Sequence, residues 1–317
     1  MGGGTLLGAP QLLGAPLKAG DSDRLGALLP TRPFGRSGER VTIMGLGGYH
    51  LPRAEQTGVS PQALIEKALE GGIRFFDTAY SYYGGRSEQI YGEFLTPNYR
   101  EDVFLMSKSA ATDKQSALEE LDTSLKRLKT DYLDLWVMHS MDDAADANHR
   151  FEGGVFDAFL EAKASGKVRY IGCSGHVWPE AQQRVMQLAG DGIDYFQFPV
   201  NAVDASAEES FTSDLLPDLA KRGYAIGAMK SFADGRFFRN NGYGTGEPVI
   251  PNHLSVQEAL WFVLSQPVTC LISGNEKLEH LEENLDVVKR FSALSTADQE
   301  RICLLYTSDA ADECVNV

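Results

Sequence analysis

The chain has 317 residues, a formal net charge of −15, and hydrophobic and charged contents of 43% and 23%. This length suits one large α/β domain, since α/β barrels contain about 250 residues plus insertions. So acidic a surface repels phosphate backbones and anionic lipid headgroups, which argues against binding to nucleic acids or to a membrane surface. No apolar run approaches the roughly 20 residues that span a bilayer, so we expect no membrane insertion.

The first 30 residues are interpreted as a leader that precedes the folded domain. Residues 1–20 are small, apolar and rich in glycine and proline, and they lack the charged start of a secretory signal. Two interpretations stay open. The segment is either a disordered leader on a cytoplasmic protein or the truncated signal of an exported bacterial protein.

Strand-like and helix-like segments alternate after the leader. A β-hairpin is predicted first, because two short strand-like segments flank Ser37 and Gly38. Beyond it, amphipathic stretches with apolar residues every three or four positions, the helical period, separate the strand-like segments. The predicted strands are short and apolar: 41–48, 73–79, 103–108, 132–139, 168–175, 194–200, 225–230 and 269–274.

These repeating units predict the fold class. Continuous apolar strands separated by helices indicate a parallel sheet that helices cover on both faces. Eight such units without a change of pattern favour closure into a (β/α)8 TIM barrel with an N-terminal β-hairpin, and an open doubly wound sheet is the alternative. We assign residues 31–303 to this barrel domain.

Two later segments depart from the alternating pattern. Residues 231–254 form the longest stretch without strand or helix periodicity, and a loop of this length is usually a lid or a substrate-binding loop. Residues 304–317 interrupt a final helix and are interpreted as an atypical tail, either native or an artefact of the sequence.

The spacing of histidines and cysteines gives no indication of a metal site. The six histidines include no H-x-H or H-E-x-x-H spacing, so a metal-dependent hydrolase is the weakest function class considered. The cysteines stand singly, without a C-x-x-C pair or a disulfide framework, and two lie in predicted strands, where we expect buried, inert thiols. The four cysteines are Cys173, Cys270, Cys303 and Cys314.

Candidate catalytic residues end three successive predicted strands. In α/β barrels the catalytic groups lie at the C-terminal ends of the strands. Asp77, Lys108 and His139 each end an apolar run, and Tyr82 follows Asp77 by five residues. Alone, each has an ordinary structural explanation, such as a turn, a solvated strand end or a packing contact in the core. Their combination on one rim favours a single catalytic device.

The chemistry of these four groups suits proton transfer by a tyrosine. A phenol has an ordinary pKa of about 10, which is high for an acid–base catalyst at neutral pH. The ammonium of Lys108 is expected to lower the pKa of Tyr82, and the Asp77 carboxylate is expected to hold Lys108 protonated and aimed. His139 is expected to orient the carbonyl oxygen of a substrate.

Five segments together resemble the aldo-keto reductase superfamily in order and spacing. They are FFDTAYSYYGGRSE, VFLMSK, LDLWVMHS, VRYIGCSGH and GNEKLEHLEENL, and the resemblance extends over residues 31–292. It implies a barrel that binds NADPH, or in some members NADH, and reduces an aldehyde or ketone to an alcohol by hydride transfer. It also implies a catalytic tetrad of Asp77, Tyr82, Lys108 and His139.

The resemblance further implies a set of cofactor-binding residues. Ser174 and Gln197 would contact the nicotinamide carboxamide, and the segment from Gly274 to Asn284 would hold the adenine and the 2′-phosphate. The full set is Ser174, Gln197, Met229, Lys230, Gly274, Asn275, Lys277, His280, Glu283 and Asn284.

Several cofactor positions depart from the family pattern. Met229 stands where an aromatic residue commonly stacks on the nicotinamide, and as a soft apolar side chain it can still cover the ring. Lys230 is expected to reach the pyrophosphate. Asn275 replaces a serine, and His280 replaces an arginine that would bind the 2′-phosphate through two hydrogen bonds, with Lys277 as a compensating cation. NADPH is expected because most members of the family bind it, and NADH stays an alternative because of these departures.

Alternatives remain for the tyrosine, the substrate and the function. Tyr83 is a rival proton donor because it directly precedes a Gly-Gly pair. His176, Trp178, Phe232 and the 231–254 loop are candidate walls of a pocket for a small, neutral carbonyl compound. Some relatives in the superfamily serve as slow, cofactor-sensing barrel subunits, and this role is the alternative to carbonyl reduction.

Overall fold

Parallel strands close into a barrel in which each strand pairs with its neighbours along the chain and the last pairs with the first. This computed structural model describes residues 21–235, 237 and 254–305. The closed barrel confirms the predicted fold class and excludes the open doubly wound sheet. In chain order the strands are β1 Ser22–Asp23, β2 Gly26–Ala27, β3 Thr31–Pro33, β4 Arg40–Thr42, β5 Met44–Gly47, β6 Phe75–Asp77, β7 Phe104–Ser109, β8 Leu133–Met141, β9 Val168–Gly175, β10 Tyr195–Pro199, β11 Ala225–Met229 and β12 Cys270–Gly274, of which β5 to β12 form the barrel.

Helices cover the outside of the barrel. The helix Lys114–Leu128 shows how the sequence determines them. Asp113 accepts a hydrogen bond from the Ser116 backbone at its start, and Lys129 adopts a left-handed conformation at its end. Its buried residues recur every three or four positions. The helices are α1 Leu51–Gln56, α2 Pro61–Glu70, α3 Arg86–Phe94, α4 Thr96–Tyr99, α5 Lys114–Leu128, α6 Ala144–Glu152, α7 Val155–Ala164, α8 Pro179–Ala189, α9 Leu216–Lys221, α10 Val256–Ser265, α11 Leu278–Lys289 and α12 Thr296–Leu304.

The predicted hairpin closes the N-terminal end of the barrel. β3 and β4 pair antiparallel on either side of the turn that contains Ser37 and Gly38. Phe34 in this hairpin is buried and stacks on the ring of Tyr195, with centroids 5.8 Å apart, and it packs at 4.9 Å against Phe104. This aromatic floor fills the lower interior, so the opposite, C-terminal end of the barrel is the place for a site.

Ordered structure starts ahead of residue 31, the predicted beginning of the domain. β1 and β2 form a two-stranded hairpin, and Asp23 in it accepts hydrogen bonds from the buried Arg74 at 2.6 and 2.9 Å. Leu29 is buried in the main hydrophobic core. These contacts correct the expectation of a leader through residue 30, because they hold residues 21–30 against the barrel. Residues 1–20 lie outside the described residues.

One predicted strand is divided between two sheets. The segment 41–48 contributes its beginning to β4 in the hairpin and Met44–Gly47 to β5 in the barrel. The hydroxyl of Thr42 donates to the Met44 carbonyl at 2.9 Å and accepts from the Arg74 backbone at 3.2 Å, so its side chain lies where the chain passes from one sheet to the other. Alternation of apolar residues does not reveal such a change of partner.

Several sequence-based expectations fall largely on residues outside the described ranges. Of the predicted lid loop 231–254, residues 231–235, 237 and 254 are described, and of the predicted tail 304–317, residues 304 and 305. No helix in the described part of the chain is long and apolar enough to cross a membrane. Cys173 and Cys270 are buried in the barrel, and burial raises the pKa of both thiols well above the ordinary value.

Candidate active site

Three neighbouring strands bring polar residues to the C-terminal mouth of the barrel. Asp77 ends β6, Lys108 lies one residue before the end of β7, and His139 lies near the end of β8. The Nζ atom of Lys108 donates to Asp77 Oδ1 at 2.8 Å and to the Thr78 carbonyl at 2.9 Å. Asp77 and Lys108 are each 2% exposed, so this ion pair is buried.

Tyr82 reaches the same ammonium from the loop after β6. Lys108 Nζ donates to the Tyr82 hydroxyl at 3.1 Å. Tyr83 instead is 36% exposed and packs on Tyr49, with ring centroids 5.3 Å apart. Of the two candidate tyrosines, the geometry brings Tyr82 to Lys108.

The loop that carries Tyr82 has an unusual backbone. Tyr83, Gly84 and Gly85 have φ angles of 51°, 63° and 94°, all in the left-handed region. The two glycines adopt this region freely, whereas a non-glycine residue there costs roughly 1–3 kcal/mol and persists where its surroundings fix it. The loop is therefore held by contacts with the rest of the barrel.

The pKa of Tyr82 differs in direction from the sequence-based expectation. Burial raises the pKa of Tyr82 above the ordinary value, and the nearby charge of Lys108 offsets this rise only in part. The expectation that Lys108 gives Tyr82 a lowered pKa is thus corrected, since the sequence does not reveal how far the phenol is desolvated. The consequence is a phenol that is protonated at neutral pH and can act as an acid.

The charge of Lys108 is maintained by its partners. Burial by itself lowers the pKa of Lys108, but the Asp77 carboxylate and the Tyr82 oxygen outweigh burial, and the net pKa is raised. The ammonium therefore stays charged beside the Tyr82 hydroxyl throughout the neutral range. This agrees with the expected role of Asp77 as the group that holds Lys108 protonated.

His139 completes the group on the side of β8. Its ring lies edge-on to the ring of Tyr82, with centroids 5.5 Å apart. Burial, followed by repulsion from Lys108, lowers the pKa of His139 to about 2. The imidazole is therefore neutral and can donate one hydrogen bond to an uncharged oxygen. Arg150 fixes the backbone here by donating to the His139 carbonyl at 2.9 Å.

Gln197 connects β10 to the same cluster and leaves one polar atom available. Its Nε2 atom donates to Asp77 Oδ2 at 3.1 Å. Its Oε1 atom is buried and has no hydrogen-bond partner among the residues that the structure describes. A buried acceptor without a partner costs about 1–3 kcal/mol, so such an atom marks a place where a ligand donor fits. The amide group of a nicotinamide is such a donor. Ser174 lies nearby in the sheet, paired with Gln197 between β9 and β10, and accepts from the Ser140 backbone at 3.1 Å.

The residues predicted to line the substrate pocket differ in exposure and in their distance from His139. The ring of His176 lies 6.3 Å from that of His139, and burial lowers its pKa to about 4. Trp178 is 40% exposed, and Phe232 packs against the main core. His176 thus belongs to the mouth, whereas Phe232 has a packing role among the described residues.

The residues after β11 form an ion pair of their own. Lys230 has a φ angle of 55°, and its Nζ atom lies 3.0 Å from Asp234 Oδ2. Its carbonyl accepts from Asn201 at 3.0 Å. Met229, half-buried, ends β11 directly before it. The sequence-based expectation of a Lys230 directed to a pyrophosphate did not include Asp234 as a competing partner.

The segment after β12 separates into buried and exposed residues. Asn275 and Asn284 are buried, and Asn284 Nδ2 donates to Asn275 Oδ1 at 3.0 Å and to the hydroxyl of Ser273 at 3.1 Å. The amides of Asn275 and Asn284 therefore connect the middle of α11 to the end of β12 and to the residues that precede the helix. Lys277, His280 and Glu283 are exposed on this segment.

Two features of this segment concern its backbone. Lys277 precedes α11 without a side-chain hydrogen bond to the helix, so its side chain does not cap the first N–H groups of α11. Gly274 lies under the ring of His50, and a Cβ atom added there would be 1.7 Å from His50 Nδ1. His50 is a site neighbour that the sequence pattern did not single out, because a lone histidine in a loop carries no specific signal.

Sequence comparison identifies the family. The model of the aldo/keto reductase family matches residues 43–257. The chain belongs to this family. Its members are oxidoreductases that reduce carbonyl compounds, and the matched range includes the four residues Asp77, Tyr82, Lys108 and His139.

Individual relatives can be aligned with this aldo/keto reductase over most of the length of both proteins. It is 27% identical over 292 residues to the uncharacterized oxidoreductase YqkF of Bacillus subtilis, covering 80% of this chain and 89% of that protein. It is 26% identical over 313 residues to the aldo-keto reductase yakc [NADP(+)] of Schizosaccharomyces pombe, covering 82% and 87%. The holo form of aldo-keto reductase AKR11C1 from Bacillus halodurans has the same fold, with a TM-score of 0.73 and 22% identity over 87% of this chain and 96% of that one.

Proposed function

We propose that this aldo/keto reductase reduces a small, neutral aldehyde or ketone to an alcohol, with Tyr82 as the proton donor and NADPH as the cofactor. The observation that carries the proposal is the hydrogen bond of 3.1 Å between Lys108 Nζ and the Tyr82 hydroxyl, beside the neutral ring of His139. An acid, a cation and a neutral donor then surround one place where a carbonyl oxygen fits.

Four residues have separate roles in the proposed proton transfer. Tyr82 is protonated at neutral pH, because an ordinary phenol has a pKa of about 10 and burial raises the pKa of Tyr82 further, so it can donate its proton to the carbonyl oxygen as negative charge develops there. The buried ammonium of Lys108 then stabilises the phenolate that remains on Tyr82. Asp77 keeps that ammonium charged and aimed, and His139 orients the oxygen by donating a hydrogen bond.

The cofactor site is inferred from side chains at the mouth that can still form a hydrogen bond, an apolar contact or an ion pair with a ligand. When bound, NADPH supplies the hydride to the carbonyl carbon. The unpartnered Oε1 atom of Gln197 and the neighbouring Ser174 would hold the carboxamide, and Met229 would provide an apolar contact for the nicotinamide. Lys230, which pairs with Asp234 in this structure, would supply a positive charge for the pyrophosphate.

The far end of the cofactor is assigned to the start of α11. Helix N-termini bind phosphate through free backbone N–H groups and the helix dipole. Lys277 and His280 add cationic or donor groups there, and Glu283 is available for the adenine. Asn275 and Asn284 act indirectly, because they hold this segment in place. The yeast relative yakc is named as an NADP(+) enzyme, which supports NADPH over NADH as the cofactor of this chain.

The decisive experiment separates binding from chemistry. Fluorescence titration with NADPH and NADH is followed by a panel of aldehydes and ketones, including methylglyoxal and glyceraldehyde, with the tighter cofactor. Tyr82→Phe is expected to bind the cofactor as the wild type does and to lose carbonyl-dependent NADPH oxidation, whereas the matched variant Tyr83→Phe keeps it. Turnover by Tyr82→Phe contradicts the proposal. A wild type that binds cofactor without turnover across the panel favours the cofactor-sensing role instead.

A further inference from the structure

Arg127, near the end of α5, lies behind the loop that carries Tyr82. Its Nη1 atom donates to the carbonyl of Tyr80 at 3.0 Å, two residues before Tyr82. Its guanidinium carbon lies 4.7 Å from the centre of the Tyr80 ring. The two contacts engage the backbone and the side chain of the same residue at the start of the loop.

Close packing extends from Arg127 to the end of the loop. A Cβ atom added at Gly85 would lie 2.3 Å from the guanidinium carbon of Arg127. The guanidinium therefore occupies the space next to Gly85 that any other residue would need. Arg127 thus contacts the loop on both sides of Tyr82, at Tyr80 before it and at Gly85 after it.

A buried carboxylate fixes the guanidinium itself. Arg127 Nη1 lies 3.1 Å from Glu88 Oε2, and the side chain of Glu88 is fully buried. The second oxygen of Glu88 accepts from the hydroxyl of Ser107 at 2.6 Å. Ser107 directly precedes Lys108 in β7, so the network ends on the strand that supplies the ammonium.

The Tyr82 loop is consequently held from two sides. The Tyr80 backbone N–H donates to the Lys108 carbonyl at 3.0 Å, and its carbonyl accepts from Arg127. We propose that Arg127 is a positioning residue that sets the position of the Tyr82 hydroxyl relative to Lys108. The proposal rests on the proposed role of Tyr82 as proton donor, and it adds a residue on α5, away from the strands that supply Asp77, Lys108 and His139.

The variant must remove the loop contact without leaving a buried charge alone. Arg127→Met by itself leaves the carboxylate of Glu88 buried and unpaired, which risks unfolding. The test therefore adds Arg127→Met to a Glu88→Gln chain, in which the amide can still accept from Ser107. Arg86→Met is the matched control, because the side chain of Arg86 pairs with Glu55 and Glu93. Arg86 bonds to the loop carbonyls of Tyr82 and Tyr83 through its backbone N–H, which the substitution keeps.

Hydrogen exchange of the full chain gives a readout that needs no turnover. The amides of Tyr80, Tyr82 and Gly84 donate within or beside the loop, and we expect them to exchange at least about tenfold faster in the double variant than in Glu88→Gln. Amides of the β3–β4 hairpin at the other end of the barrel serve as the internal reference. Equal exchange of the loop amides in the two chains overturns the proposal, whatever the activity of the protein.

Kinetics then tests the effect on proton donation. A small misplacement of a catalytic group costs about 100-fold in rate, so the double variant is expected to lose about that factor in kcat relative to Glu88→Gln for methylglyoxal reduction, with the NADPH dissociation constant unchanged. An equal loss in Arg86→Met, or a kcat within threefold of Glu88→Gln in the double variant, overturns it. If Tyr82→Phe retains turnover, the proposed function fails, whereas the exchange result stands independently.

Discussion

Lys108 donates a hydrogen bond of 3.1 Å to the Tyr82 hydroxyl, whose pKa is raised by burial, so a charged ammonium lies beside a phenol that is protonated at neutral pH. A protonated phenol is the form of Tyr82 that the proposed reduction of a carbonyl requires at its start.

The first prediction concerns Lys108→Met. The phenolate left by proton donation loses its neighbouring cation, and we expect kcat to fall by at least about 100-fold. The NADPH dissociation constant, measured by fluorescence titration, should stay within a small factor of the wild type. Because Asp77 would be left as a buried, unpaired carboxylate, which costs about 3–5 kcal/mol, the folded reference is Asp77→Asn/Lys108→Met. Full activity in either variant contradicts the role of Lys108.

The second prediction concerns the pH dependence of stability. Burial lowers the pKa of His139 to about 2, whereas an unfolded histidine has a pKa of about 6.5. When the pH falls below about 6.5, the histidine is protonated in the unfolded chain but stays neutral in the folded protein. The free energy of unfolding therefore falls by about 1.4 kcal/mol for each pH unit below about 6.5, until the pH reaches the folded pKa. Above about pH 6.5 no such loss occurs.

Urea denaturation at pH 7 and pH 5 tests this sign. His139→Gln is expected to lose about 2 kcal/mol less than the wild type on acidification between these values. The exposed His149 of α6 provides the control, because His149→Gln should follow the wild type. An identical decline in His139→Gln and the wild type is the outcome that excludes a buried, neutral His139.

The third prediction concerns cofactor preference. His280 is exposed near the start of α11, and an arginine there can bind a 2′-phosphate through two charge-assisted hydrogen bonds. His280→Arg is expected to raise the NADPH preference over NADH by roughly tenfold or more. Asp286→Arg adds the same side chain farther along α11 and should leave the ratio of the two dissociation constants unchanged. A constant ratio in His280→Arg would mean that the 2′-phosphate binds elsewhere.

The fourth prediction concerns the contact between Gly274 and His50. A Cβ atom at position 274 meets His50 Nδ1 at 1.7 Å, and overpacking of this kind costs roughly 1–3 kcal/mol. Gly274→Ala should therefore be destabilised in urea denaturation. In Gly274→Ala/His50→Ala the clash is absent, so the two effects should not add. If the destabilisations caused by Gly274→Ala and His50→Ala were strictly additive, the His50 ring would be able to move away from the added methyl group without a loss of stability.

The sequence indicated the barrel and the positions of the four mouth residues for one physical reason. In a strand buried on both faces, a charged or polar residue is costly, so its appearance at the end of an apolar run marks the rim. Asp77, Lys108 and His139 stand out in this way. The family resemblance implied Tyr82 as the tyrosine of the tetrad, and the structure brings this residue, instead of its rival Tyr83, to Lys108.

Other features depended on distances that no sequence pattern contains. The pKa of Tyr82 follows from the balance between desolvation and one cation, and the sequence suggested the wrong direction. Loop conformation determines which side chains Lys230 and Asn275 contact. The sequence therefore did not predict the ion pair of Lys230 with Asp234 or the hydrogen bond of Asn275 with Asn284. Arg127 was missed because it belongs to an amphipathic helix, where an arginine is ordinarily a solvated residue.

The pairing of β5 with β12 has a consequence for synthesis of the protein. Residues Met44–Gly47 find their second neighbour in Cys270–Gly274, so the ribosome has released most of the chain before the first barrel strand is fully paired. Until then β5 exposes an open edge that can join strands of other chains. Slow translation or truncation ahead of β12 should therefore favour aggregation of the nascent chain, and chaperones that shield strand edges should raise the yield of native enzyme.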